Sequence, residues 1–349
     1  MRVLFLCKRH PQQRDLLERP YGRFHHLPAG LAARGHEVSV ALWSHRRLSS
    51  AHREMAGVMW HADDLLPQPL AYPRRIDALT RALKPDWIIG ASDTYFGILA
   101  ARLGRRYGIR CAIDAYDNFE SYMPWAWPLH AAWRRALSQA SLLTAAGPHL
   151  LERLRAHAPA AAAAVVPMAA DPAFKPLDKA ASRRRLGLPE DAGLIGYCGS
   201  LFRNRGAKAL LAAFERLRDR HPGVRLVSSG RVRMKLPAYV QHLGYLADDL
   251  VPAFLSSVDV ACVTAAANAF GCYAYPAKLY EALACRVPVV ATDVPPIRWI
   301  VQNRQQQLAT PDDAEHLAAR LEQQLVSPWV APAPPGWDDA VERLERALL

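Results

Sequence analysis

Apolar runs of strand length recur along the chain, each followed by a polar turn and then by apolar residues at helical spacing. Residues 2–7 are the first such run. A long polar loop over 8–23, punctuated by Pro11, Pro20 and Gly22, leads into a helix carried by Phe24, Leu27, Leu31 and Ala32. Gly35 is placed to cap that helix, and 37–42 read as a strand, completing a βαβ unit. Further strands are predicted at 86–90, 111–113, 142–145 and 165–167, with helices at 96–107 and 148–157. Asp171-Pro172-Ala173-Phe174-Lys175-Pro176 then reads as an extended linker. The same grammar restarts with strands at 194–198, 224–228, 242–245 and 258–263, a helix through Leu210, Leu211, Phe214 and Leu217, and another at 250–255. A helix over 313–325, a semi-rigid crossing with Pro328, Pro332, Pro334 and Pro335, and a helix over 338–349 close the chain. Strand–helix alternation of this kind predicts an α/β protein with parallel sheets.

One stretch organises the second half: Tyr-Pro-Ala-Lys-Leu-Tyr-Glu-Ala-Leu-Ala-Cys-Arg-Val-Pro-Val-Val-Ala-Thr-Asp-Val over 275–294. Pro276 suits the first turn of a helix, Leu279 and Leu283 give it an apolar stripe, and Pro288 stops it before a buried strand of Val287, Val289, Val290 and Ala291. The backbone N–H groups of Ala277 and Lys278 then sit at the positive end of the helix dipole, with the Lys278 charge beside them. Glu281, one turn on, projects to the same side. Amides, a cation and a carboxylate together suit a nucleoside diphosphate, the carboxylate reaching ribose hydroxyls. The competing reading is an ordinary Lys–Glu pair on a solvated face.

Composition narrows the class. The chain has 349 residues, 51% of them hydrophobic, enough for two ordinary α/β domains. Its six cysteines are scattered, mostly in apolar runs and without metal-ligand spacing, which predicts buried thiols and no metal site. No apolar run reaches membrane-spanning length and Met1 leads straight into a strand, so a cytoplasmic location is expected. The formal charge of +12 is uneven, with 22 Lys/Arg against 13 Asp/Glu in residues 1–160. A basic first half suits an anionic lipid surface or an acidic substrate, and GC-rich composition explains it equally well. Nucleic acid is not expected as a partner, because the arginines are dispersed rather than set among stacking aromatics.

Candidate chemistry in the first half gathers after predicted strands. Ser92 and Asp93 follow one, where open α/β sheets keep their ligands. Asp114, Asp117 and Glu120 lie at intervals of three just beyond another, suited to a general base, a substrate hydroxyl or simply a loop anchor. Trp125, Trp127 and Trp133 with Arg134 and Arg135 suit a membrane interface, a sugar platform or a half-buried amphipathic helix. In the second half, Arg203 and Arg205 within the glycine-bracketed turn 199–206 form a second candidate anion site. The Gly-x-Gly-x-x-Gly fingerprint is absent, which argues against a nicotinamide enzyme.

The order of these pieces resembles the GT-B glycosyltransferases of the GT4 type. The resemblance rests on Ala32-Ala-Arg-Gly-His-Glu-Val38, Asp114-Ala-Tyr-Asp117, Val166-Pro with Asp171-Pro, Gly196-Tyr-Cys-Gly199 with Arg205-Gly206, His242-Leu-Gly-Tyr245, Ser257-Val-Asp-Val260 and the run from Glu281 to Asp293. It implies two Rossmann-like domains, 1–170 for the acceptor and 171–327 for a nucleotide-sugar donor, with 328–349 crossing back to the first. It implies a metal-independent transferase acting on a glycan or lipid-linked acceptor, and the basic first half with the tryptophan–arginine patch would place it in peripheral contact with the anionic inner face of a membrane. Carried over by position, Ser200, Arg205, Ala277, Lys278 and Glu281 would hold the donor, and Asp117 would be the catalytic base of an inverting enzyme or, in a retaining one, bind the transferred sugar. Arg23, Asp93, Tyr116 and Glu120 would contact acceptor or sugar. The chain departs from the family pattern at four places: Tyr273 replaces the first of paired glutamates, Ser200 an arginine, Tyr116 a histidine, and Tyr21-Gly22-Arg23 the first-loop glycines. An epimerase or phosphorylase on the same fold, or a non-catalytic scaffold, are the alternatives that these departures leave open.

Overall fold

The computed structural model describes residues 1–44, 50–64, 71–201 and 206–349. The chain forms two compact units, one of Met1–Met168 with Pro335–Leu349 and one of Ala169–Pro334.

The first unit is a sheet with helices on its faces. In chain order its elements are β1 (Arg2–Lys8), α1 (Arg23–Ala33), β2 (Glu37–Ser44), β3 (Ala51–Met55), β4 (Val58–Asp64), α2 (Ala71–Leu83), β5 (Trp87–Ala91), α3 (Thr94–Tyr107), β6 (Arg110–Ala115), α4 (Trp127–Gln139), β7 (Leu142–Ala145), α5 (Pro148–Arg155) and β8 (Ala162–Val165). The strands lie in the order β3-β4-β2-β1-β5-β6-β7-β8. All pairs are parallel except the edge hairpin β3–β4. Central strands are apolar on both faces, as parallel strands covered by helices must be: β1, β2, β5 and β6 bury nearly every residue. The chain runs outward from β1 to β2 and β4, then returns to β5 on the other side of β1. That reversal makes β1/β5 the switch point, where such sheets keep their ligands.

Glycine brings α3 down onto β5. A Cβ on Gly90 would lie 2.5 Å from the Phe96 carbonyl oxygen and 2.6 Å from the Gly97 Cα, so the helix backbone rests on the strand. Gly97 in turn makes room for the ring of Trp133. Trp133 is therefore core, packed on Phe119 at 5.7 Å between centroids, and not part of a surface tryptophan patch.

The C-terminal helix, Trp337–Leu348, belongs to this first unit. Val341 sits against Gly30 of α1, Trp337 stacks on His26, Glu345 accepts from His36, and the Trp87 indole N–H donates to the Leu348 carbonyl. The residues from Pro335 onward thus pack with the first unit, whereas Ala169–Pro334 form the second.

The second unit repeats the architecture with α6 (Lys179–Leu186), β9 (Gly193–Cys198), α7 (Ala207–Arg220), β10 (Val224–Ser229), β11 (Val240–His242), α8 (Val251–Ser257), β12 (Val260–Val263), α9 (Ala277–Ala284), β13 (Val289–Thr292), α10 (Pro295–Ile300), β14 (Leu308–Ala309) and α11 (Ala314–Val326). Its sheet is parallel in the order β11-β10-β9-β12-β13-β14, with the switch point between β9 and β12. Two buried clusters, one through Leu194, Val258 and Leu283 and one through Ile195, Phe214 and Leu317, cover its faces.

Several sequence expectations shift in detail. Pro276 is the N-cap of α9, with extended backbone, rather than its first helical residue. The helix ends at Ala284, where Arg286 turns into left-handed backbone (φ 59°), two residues before Pro288. The strand expected at 165–167 is β8, set in the alanine run, and the one expected at 242–245 is β11. Asp114, expected beyond a strand, lies within β6. All six cysteines are free, and burial pushes the Cys111, Cys262 and Cys285 thiols up to about 12. Among the described residues no helix is long and apolar enough to cross a membrane.

Candidate functional site

In the second unit the loops after β9 and β12 meet at the switch point. Gly206, the N-cap of α7, leaves only 2.9 Å between a would-be Cβ and the Cβ of Thr264. Gly199 follows β9 with φ 151°, its N–H bonded to the Ser229 carbonyl at 2.7 Å. A Cβ there would collide with Lys278 Nζ and lie 3.0 Å from its Cε. The missing side chain therefore lets the Lys278 ammonium lie against the backbone of the loop after β9, 79 residues away. Gly230 closes the other side, where a Cβ would strike the Gly199 carbonyl.

Lys278 stands in the first turn of α9. Among the described residues no side chain caps that helix and its first turn holds no acid, so the Ala277 and Lys278 amides lie at the positive end of its dipole without a capping carboxylate. The dipole and the ammonium add with the same sign. Glu281, one turn on, is only 6% exposed, which removes the solvated Lys–Glu pair from consideration. Its charge is one of the influences that, after burial, raise the Cys285 thiol. Ser200 is half-buried and its carbonyl accepts from the Tyr197 hydroxyl at 3.4 Å. Arg203 and Arg205 lie outside the described residues. The structure thus brings Gly199, Ala277, Lys278 and Glu281 into one neighbourhood that can hold a diphosphate and a polyol.

In the first unit the switch point joins β1 to β5. Ser92 is fully buried with left-handed backbone (φ 73°), a strained conformation for serine, and its Oγ accepts from the Lys8 N–H at 2.9 Å. Asp93 caps α3 by accepting from the Thr94 N–H at 2.8 Å, and its other oxygen faces Lys8 Nζ at 3.6 Å. Asp93 is therefore already occupied as a cap and charge partner.

The three carboxylates after 113 have different surroundings. Asp114 is buried and takes a two-pronged contact from Arg23, Nε to Oδ2 at 2.7 Å and Nη2 to Oδ1 at 2.5 Å, while the Thr144 hydroxyl donates to Oδ1. Arg23 spends Nη1 on the carbonyls of Val166 and Pro167. Both residues are 2% exposed, so Arg23, expected to contact the acceptor, is instead a tie between α1, β6, β7 and the end of β8. Glu120 is corrected in the same way: it accepts from Arg134 at 2.7 Å and from Arg153 at 2.8 Å. Burial would raise its carboxyl, but the two arginines outweigh that and hold it below the ordinary range.

Asp117 differs. It is half-buried, and the Tyr122 hydroxyl donates to its Oδ2 at 2.6 Å. Burial and the neighbouring Asp117 charge push the Tyr122 and Tyr116 phenols well up, so both stay protonated donors beside the carboxylate. Tyr116 is 9% exposed, wedged edge-on between Phe24 and Phe119. Tyr122 went unnoticed in the sequence reading; its position five residues after Asp117 in a tight 3-10 turn was the available signal.

Two family models match, one to each sheet: "Glycosyl transferase 4-like domain" over residues 22–169 and "Glycosyl transferases group 1" over 192–326. The chain belongs to the GT4-like glycosyltransferases of the GT-B fold. Among members of known name, the putative teichuronic acid biosynthesis glycosyltransferase TuaC of Bacillus subtilis is 32% identical over 141 residues. That match covers 40% of this chain and 34% of TuaC, so the chain spans about a third of that relative's length. Sucrose-phosphate synthase from Thermosynechococcus elongatus superposes with TM-score 0.76 at 16% identity, covering 99% of this chain and 96% of its own. Anabaena HepE in complex with UDP superposes with TM-score 0.74, also at 16% identity, covering 99% and 94%. Likeness at that identity establishes the fold of this family member, two parallel-sheet α/β units of the GT-B type.

Proposed function

We propose that this chain transfers a sugar from a nucleoside-diphosphate donor to a hydroxyl of a glycan or lipid-linked acceptor, in the building of a cell-surface polysaccharide or glycolipid. The observation that carries the reading is the Lys278 ammonium held against Gly199 at an uncapped helix start. Residues 171–327 bind the donor: Lys278 and the Ala277 and Lys278 amides take the diphosphate and Glu281 takes the ribose hydroxyls, and the family resemblance adds Ser200 and Arg205 to the donor-binding set. As the bond from the sugar to the diphosphate breaks, the leaving diphosphate gains charge, and these groups neutralise it without a metal ion. Residues 1–170 bind the acceptor, and Asp117, oriented by Tyr122, accepts the proton of the attacking hydroxyl. The UDP held by HepE supports a uridine nucleotide, and the name of TuaC supports a polysaccharide acceptor. The enzyme works at the cytoplasmic face of a membrane, in peripheral contact with it.

The test is release of UDP from UDP-hexoses in the presence of lipid-linked saccharide extracts. Asp117→Asn is expected to lower acceptor-dependent turnover about a hundredfold, the ordinary value of a positioned base, with UDP affinity unchanged. Donor consumed equally without any acceptor would overturn the transferase reading in favour of an epimerase.

A further inference from the structure

Met123-Pro124-Trp125-Ala126-Trp127-Pro128-Leu129 is apolar throughout, yet no residue of it is buried. Trp125 and Trp127 are 75% and 76% exposed, which is unusual for the largest apolar side chain. They stand where the chain enters α4, at the carboxyl-end edge of β5 and β6. Tyr95 at the start of α3 and Tyr122, each 38% exposed, lie at the same edge. Four of the exposed large apolar residues of the first unit, all aromatic, thus share one rim, Met59 and Leu349 lying elsewhere, and such amphipathic aromatics prefer a lipid–water boundary.

The fixed charge along α4 behind the tryptophans is basic, while Asp117, bonded to Tyr122, and Asp93, beside Tyr95, are the carboxylates at the inner side of the rim. Between Glu120 and Glu152 the sequence contains no acid, while His130, Arg134 and Arg135 follow the tryptophans along α4. Glu120 itself is buried and neutralised by Arg134 and Arg153, and the nearby Asp114 by Arg23. A sugar platform needs polar side chains around its aromatic ring to meet hydroxyls, and the neighbours here are Met123, Pro124, Ala126, Pro128 and Leu129. Exposed, apolar and followed along α4 by Arg134 and Arg135, the segment matches an anionic bilayer.

We propose that the Met123–Leu129 segment is a bilayer anchor, with Trp125 and Trp127 in the lipid–water interface and Arg135 of α4 facing anionic headgroups. This inference rests on the reading of a membrane-side acceptor, and gives that reading a defined contact surface close to Asp117. Interfacial attachment of this type joins a shallow apolar insertion to a salt-sensitive attraction.

The experiment is sedimentation of the full chain with vesicles of phosphatidylglycerol and phosphatidylcholine, or of phosphatidylcholine alone, with UDP binding measured in parallel. Wild type is expected to sediment with the anionic vesicles, less so at high salt, with tryptophan emission shifting to the blue. Trp125→Ala with Trp127→Ala is expected to weaken that binding at least tenfold, and Arg135→Glu severalfold, each leaving UDP affinity unaltered. Both tryptophans are exposed, so their loss leaves the core intact. Anionic-vesicle binding that survives the double substitution, equal binding to neutral vesicles, or binding of soluble glycan with no vesicle binding would each overturn the proposal. Loss of UDP binding in wild type would instead strike the transferase reading, so the two failures are separable.

Discussion

Arg23→Ala is expected to destabilise the first unit by about 3–5 kcal/mol, the usual cost of stripping one partner from a buried ion pair. Both charges are 2% exposed, so water cannot replace the lost guanidinium. Asp114 would keep only the Thr144 hydroxyl among its side-chain donors shown here, and the Val166 and Pro167 carbonyls would lose theirs. The pair joins residues 91 positions apart and holds the start of α1 against β6. In thermal unfolding, this should appear as a drop of roughly 10 °C in the transition of that unit. Asp114→Asn, which keeps shape and some hydrogen bonding, should cost less. A variant as stable as wild type would show that the site opens to water and that Arg23 is free to serve a ligand after all.

Lys278→Ala is expected to lower turnover by about 10^2–10^3, in the range of other losses of a preorganised group facing developing charge. The ammonium lies against the Gly199 backbone, where the loop after β9 and the start of α9 come together. Its charge thus already stands where the two loops meet before the donor arrives, in place for the diphosphate that departs. Stability should barely change, because Lys278 is half-buried and forms no ion pair within 4.0 Å among those identified in the described residues. Steady-state kinetics with a UDP-sugar would read the effect mainly in kcat. An effect confined to KM would mean that Lys278 binds donor and transition state alike.

How much of this was legible beforehand varies with the kind of signal. Strands such as β1, β5 and β9 were readable because parallel strands covered on both faces are continuous apolar runs. The hairpin β3–β4 was missed: β3 reads Ala-His-Arg-Glu-Met and buries none of its residues, so no apolar alternation marks it. β8 hides in alanines, which carry no strand preference, and α6 reads Lys-Ala-Ala-Ser-Arg-Arg-Arg-Leu, with its apolar signal swamped by charge. At the site, Lys278 and Glu281 were legible from their place at a helix start. The fit of Lys278 to Gly199 was not, because three strand-to-strand connections separate them in the chain. Arg23 and Glu120 looked functional for the same reason that they are structural. A buried charge and a ligand-binding charge look alike until the partner is seen, and Asp114, Arg134 and Arg153 are those partners.

The most direct test of the account is calorimetric titration of UDP into wild type, Lys278→Ala and Glu281→Ala. UDP is expected to bind wild type, and each substitution to weaken binding at least tenfold, about 1.4 kcal/mol. At a hundred times its dissociation constant UDP should also stabilise the fold by about 2.7 kcal/mol. UDP, GDP and ADP all failing to bind, or UDP binding both variants as tightly as wild type, would contradict a donor site at the start of α9.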